Sequence, residues 1–494
     1  MSATVGPGGD AARLENILIY TLPRFCSYGL NFLVLPILTR FLSPEDFGVV
    51  ALATAFGALA AGVLSGGASS AGIRFYFQYR GQEETWNQLF CSLQAFLLFI
   101  LLISAVPVYT YQQELAQLIA GERQYGAAIF VSFIAAFLGQ LNALYLGLYE
   151  NMERAATHSM FTVIQSSGAT VSGLLLVLWA DLGYMGIVYG SLAGAVVSCI
   201  AMMYHSNRGR RFEFDLGLLI ESLVYGIQIV PKTLTGFLMR FIDRYLLGAL
   251  LSVSAVGIYS IGQTVVQAVA MVMSHAWKAY RPPIYRIIFE QSETSPLRAG
   301  RLFSGFALVA LFPLLLLLLF VSEALYVMMP PTYYAVSFVV VIVGIARASH
   351  PFGTFVGVQF SYAKRPIWIV FASLVGLILN VACALLLIPP LGIVGAALAS
   401  ALGLIVANGI VVYIGQKLAP VSYEWPLLER LGLVMLLAAA LAYQFGAPTS
   451  PNPFVIILKL SVVCLYLAVV LKSDAVPLQN VANWAAARLR RNSR

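Results

Sequence analysis

Leu42-Ser43-Pro44-Glu45-Asp46-Phe47-Gly48 is answered 209 residues later (251 − 42) by Leu251-Ser252-Val253-Ser254-Ala255-Val256-Gly257. A second pair of stretches keeps that offset: Leu182-Gly183-Tyr184-Met185-Gly186 against Leu391-Gly392-Ile393-Val394-Gly395, with Ser191 and Gly194 matched by Ser400 and Gly403. Leu, Gly and Ser are common in membrane helices, so one match alone carries little. Two separated stretches sharing one offset predict an internal duplication. Leu22-Pro23-Arg24 and Val230-Pro231-Lys232 fall one residue short of the same register, as a single insertion would leave them.

The repeated unit is a membrane unit. Of the 494 residues, 60% are hydrophobic and 10% charged, against about 25% charged in a typical soluble domain. Apolar runs recur along the chain at the roughly 20-residue length a helix needs to cross the hydrocarbon core. The roughly 10-residue alternation of barrel strands is not sustained anywhere. Fourteen helices are expected, beginning near residues 17, 47, 87, 125, 158, 183, 216, 254, 302, 333, 366, 391, 428 and 454. The fold class is all-α and polytopic: two six-helix lobes followed by two C-terminal helices. Six is even, so the two repeats enter the membrane in the same sense and relate by an axis along its normal. The boundaries are a tail at 1–15, an N-lobe at 16–206, a C-lobe at 207–415, helices 13 and 14 at 416–473, and a basic tail at 474–494.

Alternate loops differ in charge. One set holds Arg74, Arg80, Arg154, Arg208, Arg210, Arg211, Lys278, Arg281, Arg286, Arg298, Lys364, Arg365 and Lys417, joined by Arg488, Arg490, Arg491 and Arg494 of the tail. The other holds Arg40, Arg123, Arg244 and Glu323, with the Pro389-Pro390 turn and an uncharged stretch at 447–453. The positive-inside rule makes the first set cytoplasmic together with both termini, which requires an even number of spans. The net charge of +8 is then loop charge and implies no nucleic-acid partner. Residues 1–15 read as a cytoplasmic tail, without the cleavage pattern of a signal peptide.

Cations at membrane depth are the candidate site. A charge at a helix centre costs about 2.5–3.5 kcal/mol on insertion scales, and proline both removes a donor and frees a carbonyl. Arg24 beside Pro23 and Lys232 beside Pro231 therefore point to two equivalent helix breaks presenting positive charge to a cavity. Arg240 and Arg244 share a helix face at i, i+4, with Asp243 placed to neutralise one of them. They serve either as substrate contacts or as an interfacial ion-pair anchor. Arg347, followed by His350 and Pro351, lies in an apolar stretch and reads as substrate contact or inter-lobe bond. Asp243 and Glu221 are the candidates for proton or sodium coupling. Arg74 and Arg281 flank cytoplasmic ends, where positive charge is expected in any case.

The five cysteines (Cys26, Cys91, Cys199, Cys383, Cys464) and four histidines (His158, His205, His275, His350) show no ligand spacing. No phosphate-binding P-loop occurs, the Gly66-Gly67-Ala68 run lacking its lysine. No metal, cofactor or catalytic residue is expected, and the chain reads as a transporter, not an enzyme.

Residues 39–76 (TRFLSPEDFGVVALATAFGALAAGVLSGGASSAGIRFY), residues 237–262 (FLMRFIDRYLLGALLSVSAVGIYSIG) and residues 391–400 (LGIVGAALAS) resemble polysaccharide-export flippases of the multidrug/oligosaccharidyl-lipid/polysaccharide exporter superfamily. The resemblance runs over nearly the whole chain, in order. It implies a V-shaped cavity between two lobes. It also implies transfer of a lipid-linked oligosaccharide, carried in bacteria on undecaprenyl pyrophosphate, from the cytoplasmic to the outer leaflet of the cell inner (plasma) membrane. Membrane lipids, polysaccharide polymerase and export machinery are the further partners it implies. A cationic cavity belongs to the same implication, and Arg24 and Lys232 fall there by position. A multidrug cation exporter, which the superfamily also contains, would need carboxylates where this chain has mainly cations. A polymerase or ligase acting on the same lipids would need a large outer loop, and none exceeds about twenty residues.

Overall fold

A computed structural model describes residues 29–290, 292–445 and 452–473. The described chain is helical. In order it runs α1 (Gly29–Phe41), α2 (Pro44–Leu64), α3 (Ala68–Gln78), α4 (Glu83–Thr110), α5 (Gln112–Ala120), α6 (Gly126–Asn151), α7 (Ala155–Leu178), α8 (Tyr184–Asn207) and α9 (Leu216–Ile227). It continues with α10 (Val230–Leu250), α11 (Val253–Glu290), α12 (Ser295–Met328), α13 (Val336–Arg347), α14 (His350–Tyr362), α15 (Ile367–Leu391), α16 (Ile393–Leu418), α17 (Trp425–Gln444) and α18 (Pro453–Leu471).

Twelve helical segments among the described residues are long and apolar enough to cross a membrane. One of these runs from Pro331 to Tyr362 and joins α13 to α14. The short apolar helix α1 and the broken pair α9–α10 lie where the other two of the fourteen expected passes fall. A helix satisfies its backbone hydrogen bonds internally, as hydrocarbon demands. The chain is a multi-pass membrane protein.

Contacts divide the chain into one unit of Met1–Ile261 with Leu385–Ala396 and another of Gly262–Ala384 with Ala397–Arg494. The division falls within α11, later than the repeat boundary expected near residue 206, because α9 and α10 pack on α2, α3 and α4.

In the first unit α6 is central, packing on α2, α3, α4 and α8. Phe90, Phe133, Phe137, Leu141 and Tyr145 belong to its apolar core. A buried polar network crosses that core. The Tyr145 hydroxyl donates to Gln94 Oε1 at 3.0 Å, and Gln94 exchanges amide bonds with Asn207 at 3.2 and 3.0 Å. Because lipid tails are as apolar as leucine, burial does little to drive helices together, and small residues that admit close backbones take over. A Cβ on Gly190 would stand 2.3 Å from the Cα of Gly173, and one on Gly194 2.6 Å from the Ala169 nitrogen, where α8 meets α7.

The second unit repeats that device. A Cβ on Gly403 of α16 would lie 2.6 Å from the Gly376 carbonyl of α15, and one on Gly376 2.7 Å from the Gly403 carbonyl. Gly194 and Gly403, matched in sequence, thus do the same packing in corresponding helix pairs. In this unit α12 packs on α13, α14, α17 and α18. Lys459, the one charged residue of α18, is fully buried. Its ammonium donates to Ser322 Oγ at 3.0 Å and to Glu323 Oε1 and Oε2 at 2.6 and 2.8 Å, engaging both groups on α12. Glu323, which the sequence places in an outer loop, lies inside α12. A second bond, from the Tyr466 hydroxyl to the Leu308 carbonyl at 2.6 Å, ties the same two helices.

Removing one partner of a buried pair strands the other, whereas removing both does not. Lys459→Met is expected to lower stability by about 3 kcal/mol, the low end of the usual range, because Glu323 keeps 20% of its side chain exposed. The double variant Lys459→Met/Glu323→Leu should recover most of that loss in thermal unfolding of the solubilised protein.

Candidate functional site

The seventh span is two helices. α9 ends at Ile227, Gln228 and Ile229 intervene, and α10 begins at Val230 with Pro231 in its first turn. Pro231 has no amide to give the Ile227 carbonyl, so the ladder cannot run through. What remains is a local turn: the Ile229 amide donates to the Gly226 carbonyl at 2.9 Å and the Thr233 amide to the Ile229 carbonyl at 3.1 Å. The break is held from the side by backbone. A Cβ on Gly226 would lie 2.5 Å from the Gly66 carbonyl, and one on Gly67 2.3 Å from the Gly226 carbonyl. Gly66 and Gly67 both have positive φ, 57° and 71°, a turn open to glycine and costly for other residues.

Lys232 therefore stands in the first turn of a half-helix, and not in the middle of a continuous one. The positive end of a helix dipole disfavours a cation. The start of a helix is, by the same dipole, a setting that suits an anion. Further along α10, Arg240 is exposed and Arg244 half-buried. The Arg244 guanidinium lies 4.8 Å from the centre of the Phe241 ring. Asp243 is 4% exposed, and its carboxylate accepts a bond from the Tyr259 hydroxyl of α11 at 2.8 Å. Asp243 is thus anchored to the next helix, a partner that spacing on its own helix could not reveal.

Arg347 closes α13 in the second unit, at a helix C-terminus where a cation is favoured. The following break is pinned: Ser349 Oγ accepts from Asn408 Nδ2 at 2.7 Å and donates to the Ala346 carbonyl at 2.7 Å. Glu221 is exposed on α9, and Tyr79 donates to it at 3.4 Å. Burial first and the Glu221 charge second push the Tyr79 hydroxyl above its ordinary pKa, so it remains a donor. Arg24 and Pro23 lie outside the described residues.

The duplicated stretch that defines the repeat also meets itself. Ser43 caps α2 in a reciprocal capping box with Asp46, and Ser252 accepts from the Ala255 amide at 3.2 Å at the start of α11. One turn further, a Cβ on Gly48 would stand 1.9 Å from the Val253 carbonyl, and one on Gly257 1.8 Å from the Pro44 carbonyl. Gly48 matches Gly257 and Pro44 matches Val253 at the 209-residue offset, so the contact is reciprocal between equivalent residues. The sequence marks these glycines as repeated without saying that they touch. Tyr125 fixes the start of α2 further, donating to Glu45 Oε1 at 2.7 Å.

A family model described as polysaccharide biosynthesis protein matches residues 13–287. The chain belongs to that family. It is 27% identical over 248 residues to the succinoglycan biosynthesis transport protein ExoT of Rhizobium meliloti (strain 1021), covering 50% of this chain and 48% of ExoT. It is 25% identical over 145 residues to the amylovoran biosynthesis protein AmsL of Erwinia amylovora, covering 28% of this chain and 36% of AmsL. The matched part thus spans at most about half the length of these relatives. Among solved structures, the lipid II flippase MurJ in an inward closed conformation superposes with a TM-score of 0.70 at 12% identity, covering 92% of this chain and 98% of MurJ. An inward-facing multidrug resistance MATE family transporter of the MOP superfamily gives 0.60 at 18% identity, covering 81% and 97%. These likenesses establish a shared fold.

An ordinary helical Gly→Ala change gains up to about 1 kcal/mol. At Gly48 and Gly257 the sign should reverse, because the new methyl meets a carbonyl of the partner helix. Melting temperatures of Gly48→Ala and Gly257→Ala are expected to fall, while Gly236→Ala, which has open space around it, should be neutral or raise the value.

Proposed function

We propose that this protein is a flippase that carries a lipid-linked oligosaccharide, joined through undecaprenyl pyrophosphate, from the cytoplasmic to the outer leaflet of the inner membrane for polysaccharide export. The observation that carries the reading is Lys232 at the head of the half-helix α10, with Arg240 and Arg244 further along the same helix. A diphosphate crossing hydrocarbon unaided bears its full desolvation penalty; amides and cations on its route replace the lost water contacts. Arg24, Lys232, Arg240, Arg244 and Arg347 are proposed to contact the head group, with Pro23 and Pro231 setting the helix breaks. Asp243 and Glu221 are proposed to couple transport to a proton or sodium gradient.

The two repeats, at 16–206 and 207–415, are proposed to rock about the cavity with both termini cytoplasmic, handing cargo to a polymerase and export machinery. The Gly48–Gly257 contact would close the outer side, since the loop carrying Ser43 and that carrying Ser252 both belong to the charge-poor set. The family match and the name of the lipid II flippase support the cargo class. The excess of deep cations over carboxylates weighs against a multidrug cation exporter.

Lys232→Glu separates function from folding, because a carboxylate in a first helical turn is stabilising. In vesicles holding a fluorescent undecaprenyl-diphosphate sugar, this variant should melt at or above the wild-type temperature. It should also lose translocation by about tenfold or more, the effect of some 1.4 kcal/mol on a barrier. Wild-type flux from Lys232→Glu would remove this residue from the path.

A further inference from the structure

Arg74 is read from the sequence as ordinary cytoplasmic loop charge, yet its guanidinium is held in a built setting. It lies on α3, its central carbon 4.2 Å from the centre of the Tyr225 ring of α9 and 5.1 Å from that of Phe75. The rings form a platform: Phe75, 2% exposed, meets Tyr225 edge-on at 6.1 Å and stacks on Tyr79 at 5.9 Å. The platform is fixed from two sides. Gly67 and Gly226 bring the two helices to backbone contact, and Asn151 Nδ2 donates to the Ile73 carbonyl at 3.0 Å.

The Tyr225 ring takes one side of the guanidinium. Arg74 is exposed, and its nitrogens make no hydrogen bond or ion pair among the described residues. Glu221, one turn before Tyr225, is instead engaged by the Tyr79 hydroxyl. An arginine set over an aromatic ring, with its fork unused, is suited to bidentate capture of a phosphoryl group. Tyr225 lies seven residues before Lys232, on the near side of the α9–α10 break.

The geometry assigns Arg74 on Tyr225 as a phosphoryl-oxyanion site where the diphosphate of the cargo docks before it reaches the α10 break. This rests on the flippase reading above. A phosphate-bearing lipid head group offers the same chemistry, so the test must separate the two sources. Glu221, the neighbouring carboxylate, opposes an anion here and sets a second expectation.

The test uses the full-length protein in phosphatidylcholine nanodiscs, with undecaprenyl diphosphate, undecaprenol and phosphatidylglycerol as probes and binding read by native mass spectrometry. Arg74→Ala should weaken undecaprenyl diphosphate by about tenfold and leave undecaprenol and phosphatidylglycerol unchanged. Arg74→Lys, which keeps the charge and loses the fork, should fall between. Tyr225→Leu should also weaken the diphosphate although no charge changes, and Glu221→Gln should tighten it. Wild-type affinity in Arg74→Ala, or a loss confined to phosphatidylglycerol, would overturn the site while leaving the flippase reading intact. A wild-type protein that binds the diphosphate no better than undecaprenol would overturn both.

Discussion

Inside hydrocarbon a helix gains little by hiding apolar side chains from its neighbours, so backbone must meet backbone, and this chain arranges that with glycine. Gly194 and Gly403 serve matched helix pairs, Gly67 and Gly226 clamp the α9–α10 break, and Gly48 and Gly257 cross reciprocally at the heads of α2 and α11. Each of these contacts leaves no room for a side chain.

The same solvent makes every interrupted ladder expensive, and the interruption in the seventh span coincides with charge. α10 opens with Pro231 and Lys232 at the end of the dipole that least favours a cation. The pairing is costly for stability and suited to an anion. Lys459 shows the contrary case, a buried cation whose three donors are all taken by Ser322 and Glu323. It is explained by docking alone.

Twelve of the expected spans and their order were legible because hydropathy reports membrane crossing directly. Helix starts were less so: α12 begins at Ser295 rather than near 302, since its first turns carry Arg298 and Arg301 and lie outside the apolar run. The short helices α3 and α5 escaped for the same reason. Pro231 signalled a break, yet only the Gly67–Gly226 contact places it before Lys232 instead of around it. Tyr259 as the partner of Asp243, and Tyr225 as the support of Arg74, join residues 16 and 151 positions apart in the chain. No helical spacing links either pair. Lys459 could have been found, as a lone charge in an otherwise apolar span.

Where the cargo stops when the protein is missing tests the central claim most directly. In cells lacking this gene and any redundant exporter, the completed lipid-linked unit should accumulate in the inner leaflet, protected from an externally added glycan-cleaving enzyme until the membrane is opened. Accumulation of that unit already exposed to the enzyme in sealed spheroplasts, or undiminished polymer export, would contradict the assignment.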